Sequence, residues 1–176
     1  MRTVIDLLHE SVKNYGSLPF LGQKFSDVYT TFSFAQTDAL SRELAAALVL
    51  KGLGRGDNVS ILSEGAASWV IGEFAVLKAG CSSVPLSTKL SGEEILFRLE
   101  HSESRAILVS ENNLSKVAEV LPRIARKPLV ICISERTATF AEAIAAAGLR
   151  EGAEPFFYAD PLAEGKAAVP GPEGAG

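Results

Sequence analysis

The chain has 176 residues, of which 47% are hydrophobic and 22% charged, a balance typical of one globular domain. Its net charge is −4 at pH 7 and no cluster of lysine and arginine stands out, which argues against nucleic acid as a partner. Residues 1–16 lack the apolar centre of a signal peptide, and no apolar run approaches the roughly eighteen residues of a membrane-spanning helix. We therefore expect a cytoplasmic protein.

The N-terminal region predicts a helix followed by a β-hairpin. Apolar side chains recur at helical spacing over residues 3–14, which indicates a short amphipathic helix. Residues 20–25 and 28–32 are rich in aromatic and β-branched side chains, and Ser26 with Asp27 suits a tight turn between them.

From Ser33 onward, short apolar runs alternate with helical patterns. Ser33 with Gln36 and Ser91 with Glu94 match capping boxes, in which a hydroxyl and a longer side chain satisfy exposed backbone donors at a helix start. The predicted strands are residues 59–62, 83–86, 106–109 and 129–133, and the predicted helices after the first capping box include residues 66–79, 114–121 and 140–147. This order predicts an α/β fold with a mostly parallel, doubly wound sheet flanked by helices, preceded by the N-terminal helix and hairpin.

The composition changes at Ala159. Of the last 18 residues, 12 are Gly, Ala or Pro and none is aromatic, so this tail cannot bury enough apolar surface to offset the entropy of ordering it. We expect residues 1–158 to belong to one folded domain and residues 159–176 to be disordered.

A glycine-rich motif invites comparison with a phosphate-binding loop. Gly52, Gly54 and Gly56 alternate with other residues, but they close a helix and lead into a strand, whereas a dinucleotide loop follows a strand and opens a helix. We interpret the motif as a helix stop and a turn, in which Asp57 bonds to nearby backbone.

The titratable side chains also have structural interpretations. Cys81 and Cys132 lie in apolar segments without metal-ligand spacing, which predicts buried free thiols. His9 and His101 lie on or at the end of surface helices, where a solvated ring is expected. Three carboxylates lie on one surface helix, with no neighbour that would tune them for catalysis: Glu93, Glu94 and Glu100. The sequence therefore predicts no catalytic, cofactor-binding or metal-binding residue.

Residues 29–110 resemble the N-terminal part of AMP-forming acyl-CoA synthetases, which belong to the adenylate-forming superfamily. Thr31-Phe32-Ser33-Phe34 resembles the aromatic-Thr-aromatic start of the family's first long helix. Leu77-Lys78-Ala79-Gly80, continuing to Val84-Pro85-Leu86, resembles a second family motif, and Gly56-Asp57-Asn58-Val59 fits the turn between them. Ser87-Thr88 stands where peptide-synthetase domains usually carry Asp-Pro, which favours fatty or other carboxylic acids over amino acids as substrates. The resemblance covers roughly residues 1–150.

The resemblance implies a two-step ligase reaction, in which ATP and a carboxylate form an acyl-adenylate and coenzyme A then displaces AMP. In that family the phosphate loop, the adenine and acyl pockets, the magnesium-binding carboxylate and the mobile lid all follow the part seen here. The matched positions are therefore scaffold positions. We expect this chain to come from a fatty-acid–CoA ligase that uses ATP, magnesium and coenzyme A, to bind none of these by itself, and to be inactive alone.

Two alternatives remain open from the sequence. The chain could be the scaffold half of a split ligase that a second chain completes. It could also be a free-standing flavodoxin-like binding module, although the missing phosphate-binding turn argues against this. As part of a larger domain, the chain is expected to expose apolar surface on the helix at 66–79 and at the sheet edge, and so to self-associate.

Overall fold

The computed structural model describes residues 2–25, 28–134 and 153–157. The helix predicted at 140–147, the turn predicted at residues 26 and 27, and the tail at 159–176 lie outside the described residues. The domain boundary and the disorder of the tail therefore stay predictions.

The N-terminal helix and hairpin are confirmed. Helix α1 spans Val4–Tyr15 and begins with a capping box between Thr3 and Asp6. Strands β1 (Pro19–Phe25) and β2 (Val28–Ser33) pair antiparallel. The next helix begins directly after β2, where the Phe34 ring stacks on Phe20 with the ring centroids 4.3 Å apart. This stacking attaches the hairpin to the rest of the molecule.

Strands and helices then alternate as predicted, and both predicted capping boxes are present. The Gln36 N–H donates to Ser33 Oγ and the Ser33 N–H donates to Gln36 Oε1, and Ser91 and Glu94 repeat the arrangement. The elements are α2 (Phe34–Leu50), β3 (Asn58–Leu62), α3 (Ala67–Lys78), β4 (Ser82–Leu86), α4 (Gly92–His101), β5 (Ala106–Val109), α5 (Leu114–Val120), β6 (Leu129–Ser134) and β7 (Ala153–Phe157). Helix α5 ends just before a 3-10 turn that contains Pro122, because proline cannot continue the helix.

The sheet is parallel throughout, in the order β4-β3-β5-β6-β7. This confirms the predicted α/β fold class. The outer strand β7 was not predicted. It contains Pro155, and proline in a strand is tolerated where no neighbour needs its missing N–H, as at the edge of a sheet.

Each face of the sheet carries its own apolar core. On one face Leu108 of β5 packs with residues of α2 and α3, among them Leu44 and Ile71. On the other face Ile107 packs with residues of α4 and α5, among them Ile95. Strand β5 is fully buried because successive side chains point to opposite faces and helices cover both.

The expected exposure of the helix at 66–79 is wrong. No residue of α3 from Ala67 to Lys78 is exposed, because the hairpin and α2 pack against the side of α3 that the sheet does not cover. Exposed apolar side chains lie on α1 and at the end of α2 instead, among them Val4, Leu7 and Leu50. Self-association stays a prediction. Within the described residues, every helix is too short or too polar to cross a membrane.

Candidate functional site

The place where this fold would hold a ligand is the carboxyl edge of the sheet between β3 and β5. The chain leaves β3 toward β4 on one side and later returns to β5 on the other side. Ligands of open parallel α/β sheets bind in the crevice at such a switch point, outside the carboxyl ends of the strands. The loops that meet there are residues 63–66 after β3 and residues 110–113 after β5.

A polar network links the two loops at this crevice. The Asn113 amide Nδ2 donates to Glu64 Oε1 and to Ser110 Oγ, each at 2.8 Å. The Ser110 N–H donates to the Leu62 carbonyl oxygen at 3.1 Å, which ties the start of one loop to the end of β3. Asn113 is buried, and its amide donates to both of these partners. The network joins the two loops at the switch point.

The Glu64 carboxylate is held in its ionised form by this network. Burial acts to raise its pKa, but hydrogen bonds from Ser110, from backbone and from Asn113 and Asn112 outweigh it, so the pKa of Glu64 lies below its ordinary value. A general acid at neutral pH would need the opposite shift. Through its hydrogen bond with Asn113, Glu64 links the two loops.

This arrangement predicts a pH dependence of stability. Because the folded-state pKa of Glu64 is lowered, its stabilisation is present above the unfolded value of about 4.3 and is lost as the pH falls through the folded-state pKa. Urea unfolding at pH 6, 5, 4 and 3 should show wild type more stable than Glu64→Gln at pH 6, with the difference shrinking toward pH 3. A difference that does not change with pH would contradict the assignment.

At the described starts of α3 and α4, backbone N–H groups at the carboxyl edge are already bonded. A phosphate cradle needs several unpaired backbone N–H groups at the start of a helix that follows a strand. After β3, the Ala67 N–H at the start of α3 already donates to Gln23 Oε1 of the hairpin at 2.8 Å. After β4, helix α4 begins with the Ser91 and Glu94 capping box. Within the part of the chain that the structure describes, no group of three or more His, Cys, Asp and Glu side chains could hold a metal ion.

The glycine motif has the predicted turn geometry. Gly52 and Gly56 have positive φ angles of 79° and 93°, and Gly54 does not. The Asp57 carboxylate accepts from Arg105 Nη1 at 2.7 Å and from the Gly54 N–H at 2.9 Å. These bonds, the Arg105 bond foremost, lower the pKa of Asp57. The motif is a helix stop and an ion-paired turn, on the edge of the sheet opposite the switch point.

Substitutions at Gly54 and Gly56 distinguish the effect of backbone conformation on stability from the effect of available space. A Cβ on either Gly54 or Gly56 would meet open space, but only Gly56 has a left-handed φ. Gly56→Ala should therefore lower the free energy of unfolding by about 1 to 2 kcal/mol, while Gly54→Ala should leave it unchanged or raise it slightly. Urea unfolding of both variants measures this, and equal losses would contradict the turn geometry.

Several other residues singled out in the sequence are buried or are engaged with neighbouring side chains. Cys81 and Cys132 are buried free thiols, as predicted, and burial raises the pKa of Cys132 to about 12. His101 stacks on the exposed Phe97 ring. Glu93 and Glu94 are engaged on the surface with Arg123 and with the Ser91 cap, and the hydrogen bonds from these partners lower their pKa values.

A buried ionic cluster between α2 and α3 was not predicted. Lys78 Nζ donates to Asp38 Oδ1 at 2.6 Å, to the Asp38 carbonyl oxygen at 3.0 Å and to Ser41 Oγ at 2.7 Å. Arg42 pairs with the other Asp38 oxygen, and His9 Nε2 lies 3.7 Å from Asp38 Oδ1. The side chains of Lys78 and Asp38 are only 9% and 7% exposed. The available signal was a lysine at the end of a mostly apolar helix, since a buried charge requires a partner.

Burial acts to raise the pKa of Asp38, but hydrogen bonds from Lys78 and Arg42 outweigh it and leave the pKa below its ordinary value. The carboxylate is therefore ionised at neutral pH, and its oxygens are engaged by two cations.

Comparison with known proteins decides the family. A family model described as AMP-binding enzyme matches residues 8–170. The chain belongs to the AMP-binding enzyme family. The resemblance found in the sequence is thereby confirmed for almost the whole chain.

Two proteins that are similar in sequence to this chain are much longer than it is. A naringenin synthase of Pestalotiopsis fici is 33% identical over 112 residues, which cover 64% of the chain and 4% of that protein. A long-chain-fatty-acid–CoA ligase of Rattus norvegicus is 26% identical over 121 residues, covering 68% of the chain and 18% of that protein. The chain thus spans less than a fifth of either relative.

A solved structure supports the same fold. The adenylation domain of a carboxylate reductase from Mycobacterium chelonae superposes with a TM-score of 0.78 at 21% identity, covering 98% of the chain and 30% of that chain. At this identity the likeness concerns the fold alone. The parallel sheet and its flanking helices therefore follow the fold of that adenylation domain.

Proposed function

We propose that this AMP-binding family chain forms the N-terminal scaffold of an ATP-dependent, AMP-forming ligase that joins a carboxylic acid to coenzyme A. The observation that carries the proposal is the family match over residues 8–170. The polar groups described at the carboxyl edge are bonded to one another, which supports a structural rather than a catalytic contribution from these loops. The phosphate-binding groups would then come from the longer protein.

A fatty acid is the substrate class that we favour. The relative named as a long-chain-fatty-acid–CoA ligase aligns over 68% of the chain. Ser87-Thr88 also follows β4 where amino-acid-activating domains usually carry Asp-Pro. In this chain the turn is held by the Lys89 N–H, which donates to Ser87 Oγ, and by Lys116, which donates to the Thr88 carbonyl oxygen. We place the enzyme in the cytoplasm and in fatty acid metabolism.

The test begins with the coding sequence beyond residue 176. If the reading frame continues, the proposal expects a Ser/Thr/Gly-rich run with a lysine within it. The protein encoded there should release pyrophosphate from ATP and magnesium with fatty acids, and should form a thioester when coenzyme A is added. A panel of fatty, aromatic and amino acids measures the preference.

Two results would overturn the proposal. One is adenylation of amino acids with no thioester formed with coenzyme A. The other is pyrophosphate release by residues 1–176 alone. A frame that ends at residue 176, beside a second gene encoding the remaining motifs, would instead favour the split ligase, and the two chains would then be assayed mixed.

A further inference from the structure

An open groove runs between α1, α2 and α3, away from the carboxyl edge of the sheet. Its volume is about 1010 Å³, which is enough for a lipid-sized ligand. Much of its lining is apolar and includes Val4, Ile5, Ala46, Val49, Leu50 and Leu77. Leu50 is 86% exposed and Val4 is 55% exposed, so the groove opens to solvent at this end.

The opposite end of the groove is cationic. His9, Arg42 and Lys78 line it, and no Asp or Glu is among the lining residues. Asp38 lies behind them, and its carboxylate oxygens are engaged by Lys78 and Arg42. Counting Lys78 and Arg42 against Asp38 leaves one excess positive charge. The carboxylate of Asp6, which lies on the same helix as His9, interacts electrostatically with the His9 side chain.

Arg42 is the cation best able to bind an added anion. Lys78 already makes three hydrogen bonds, which use all three ammonium donors. Arg42 has five N–H donors, pairs with Asp38, and has a side chain 70% exposed. His9, with a side chain 60% exposed, lies beside it. A carboxylate at this end would therefore contact the Arg42 guanidinium.

The apolar part of the groove lies along α2. From Arg42 to Leu50 helix α2 advances eight residues, or about 12 Å. An extended hydrocarbon lying along α2 would contact Ala46 and Val49 and end near Leu50. Removing these side chains from water would supply the driving force for binding.

We propose that the α1–α2–α3 groove binds an aliphatic carboxylate, with its head group on Arg42 and its chain directed toward Leu50. This site is separate from the switch point of the sheet. The proposal does not rest on the proposed function, because charge and apolar lining alone define the ligand.

Photo-crosslinking on the full-length protein tests the site. A dodecanoate that carries a diazirine near its chain end is irradiated with the protein, and tryptic peptides are analysed by mass spectrometry. We expect labels in the peptides that contain residues 3–13 and 43–51. Unlabelled dodecanoate should compete, and dodecyltrimethylammonium at the same concentration should not.

Three variants sharpen the result. Arg42→Gln should weaken labelling about tenfold, since it removes a charge-assisted hydrogen bond. This variant lacks the trypsin site at residue 42, so its labelling is read in the longer peptide 25–51. Ala46→Trp should fill the groove and abolish labelling. Arg98→Gln, an exposed arginine on α4 at the opposite face of the sheet, should label as wild type. Any of three results would overturn the proposal. The cationic amphiphile could compete as well as dodecanoate, or Arg42→Gln and Arg98→Gln could be labelled to the same extent. The third is labelling confined to other peptides. The last result would mean that another protein segment covers the groove.

Discussion

Replacing Leu108 by alanine is expected to lower the free energy of unfolding by about 4 kcal/mol. Leu108 is fully buried in the central strand β5, within the core formed with α2 and α3. The substitution leaves a cavity, and Gly72 of α3, whose position lies directly against Leu108 Cδ1, has no side chain that could move into it. Because the neighbours cannot fill the cavity, the loss in free energy of unfolding should lie in the upper part of the range for leucine-to-alanine substitutions.

The matched control is Leu50→Ala, because Leu50 is 86% exposed and the same atoms are removed. Urea unfolding should show a change of at most about 0.5 kcal/mol for this variant. Similar losses for both variants would contradict the position of β5 at the centre of the molecule.

Lys78→Met is expected to lower the free energy of unfolding by about 3 kcal/mol, because it removes the buried partner of Asp38. Removing one member of a buried ion pair leaves the other charge poorly solvated. Arg42 still contacts Asp38 in this variant, which keeps the loss at the lower end of the usual range. Arg42→Met, in contrast, removes an exposed partner and should cost less than about 1 kcal/mol.

A double variant separates charge from packing. In Asp38→Leu with Lys78→Met, both buried charges are replaced by apolar groups, so much of the stability lost in Lys78→Met should return. Denaturant unfolding of the two single variants and the double variant completes the cycle. If Lys78→Met loses no more stability than Arg42→Met, the buried pair does not have the role described.

The features predicted well from the sequence are local ones. The capping boxes at Ser33 and Ser91 each depend on residues three positions apart, and the structure forms both. The left-handed turns at Gly52 and Gly56 follow from the missing Cβ of glycine. Strand β5 was recognised because a strand covered on both faces is an uninterrupted apolar run.

The features that were missed depend on long-range contacts. Asp38 and Lys78 are 40 positions apart, and only the packing of α2 on α3 brings them together. The exposure predicted for α3 was wrong for the same reason, since the sequence does not reveal that the hairpin folds back over that helix. Strand β7 was missed because Pro155 lowers the strand propensity of this segment. In addition, residues 135–152 separate β7 in sequence from β6, the strand with which it pairs.

The polar network at the switch point had a partial signal in the sequence. Ser63-Glu64 directly follows β3, and Ser110 directly follows β5, so both lie at the carboxyl edge. Placing the two strands side by side requires the strand order, which the sequence pattern leaves open. Only the structure shows that Asn113 links these loops through Glu64.

Titration of residues 1–176 with ATP and magnesium in a calorimeter, paired with a pyrophosphate-release assay on a panel of fatty acids, tests most directly whether this chain is scaffold alone. Circular dichroism on the same sample establishes that the chain is folded. We predict no binding heat above that of dilution and no pyrophosphate release. Saturable ATP binding with turnover would contradict the assignment of this chain as a scaffold without its own active site.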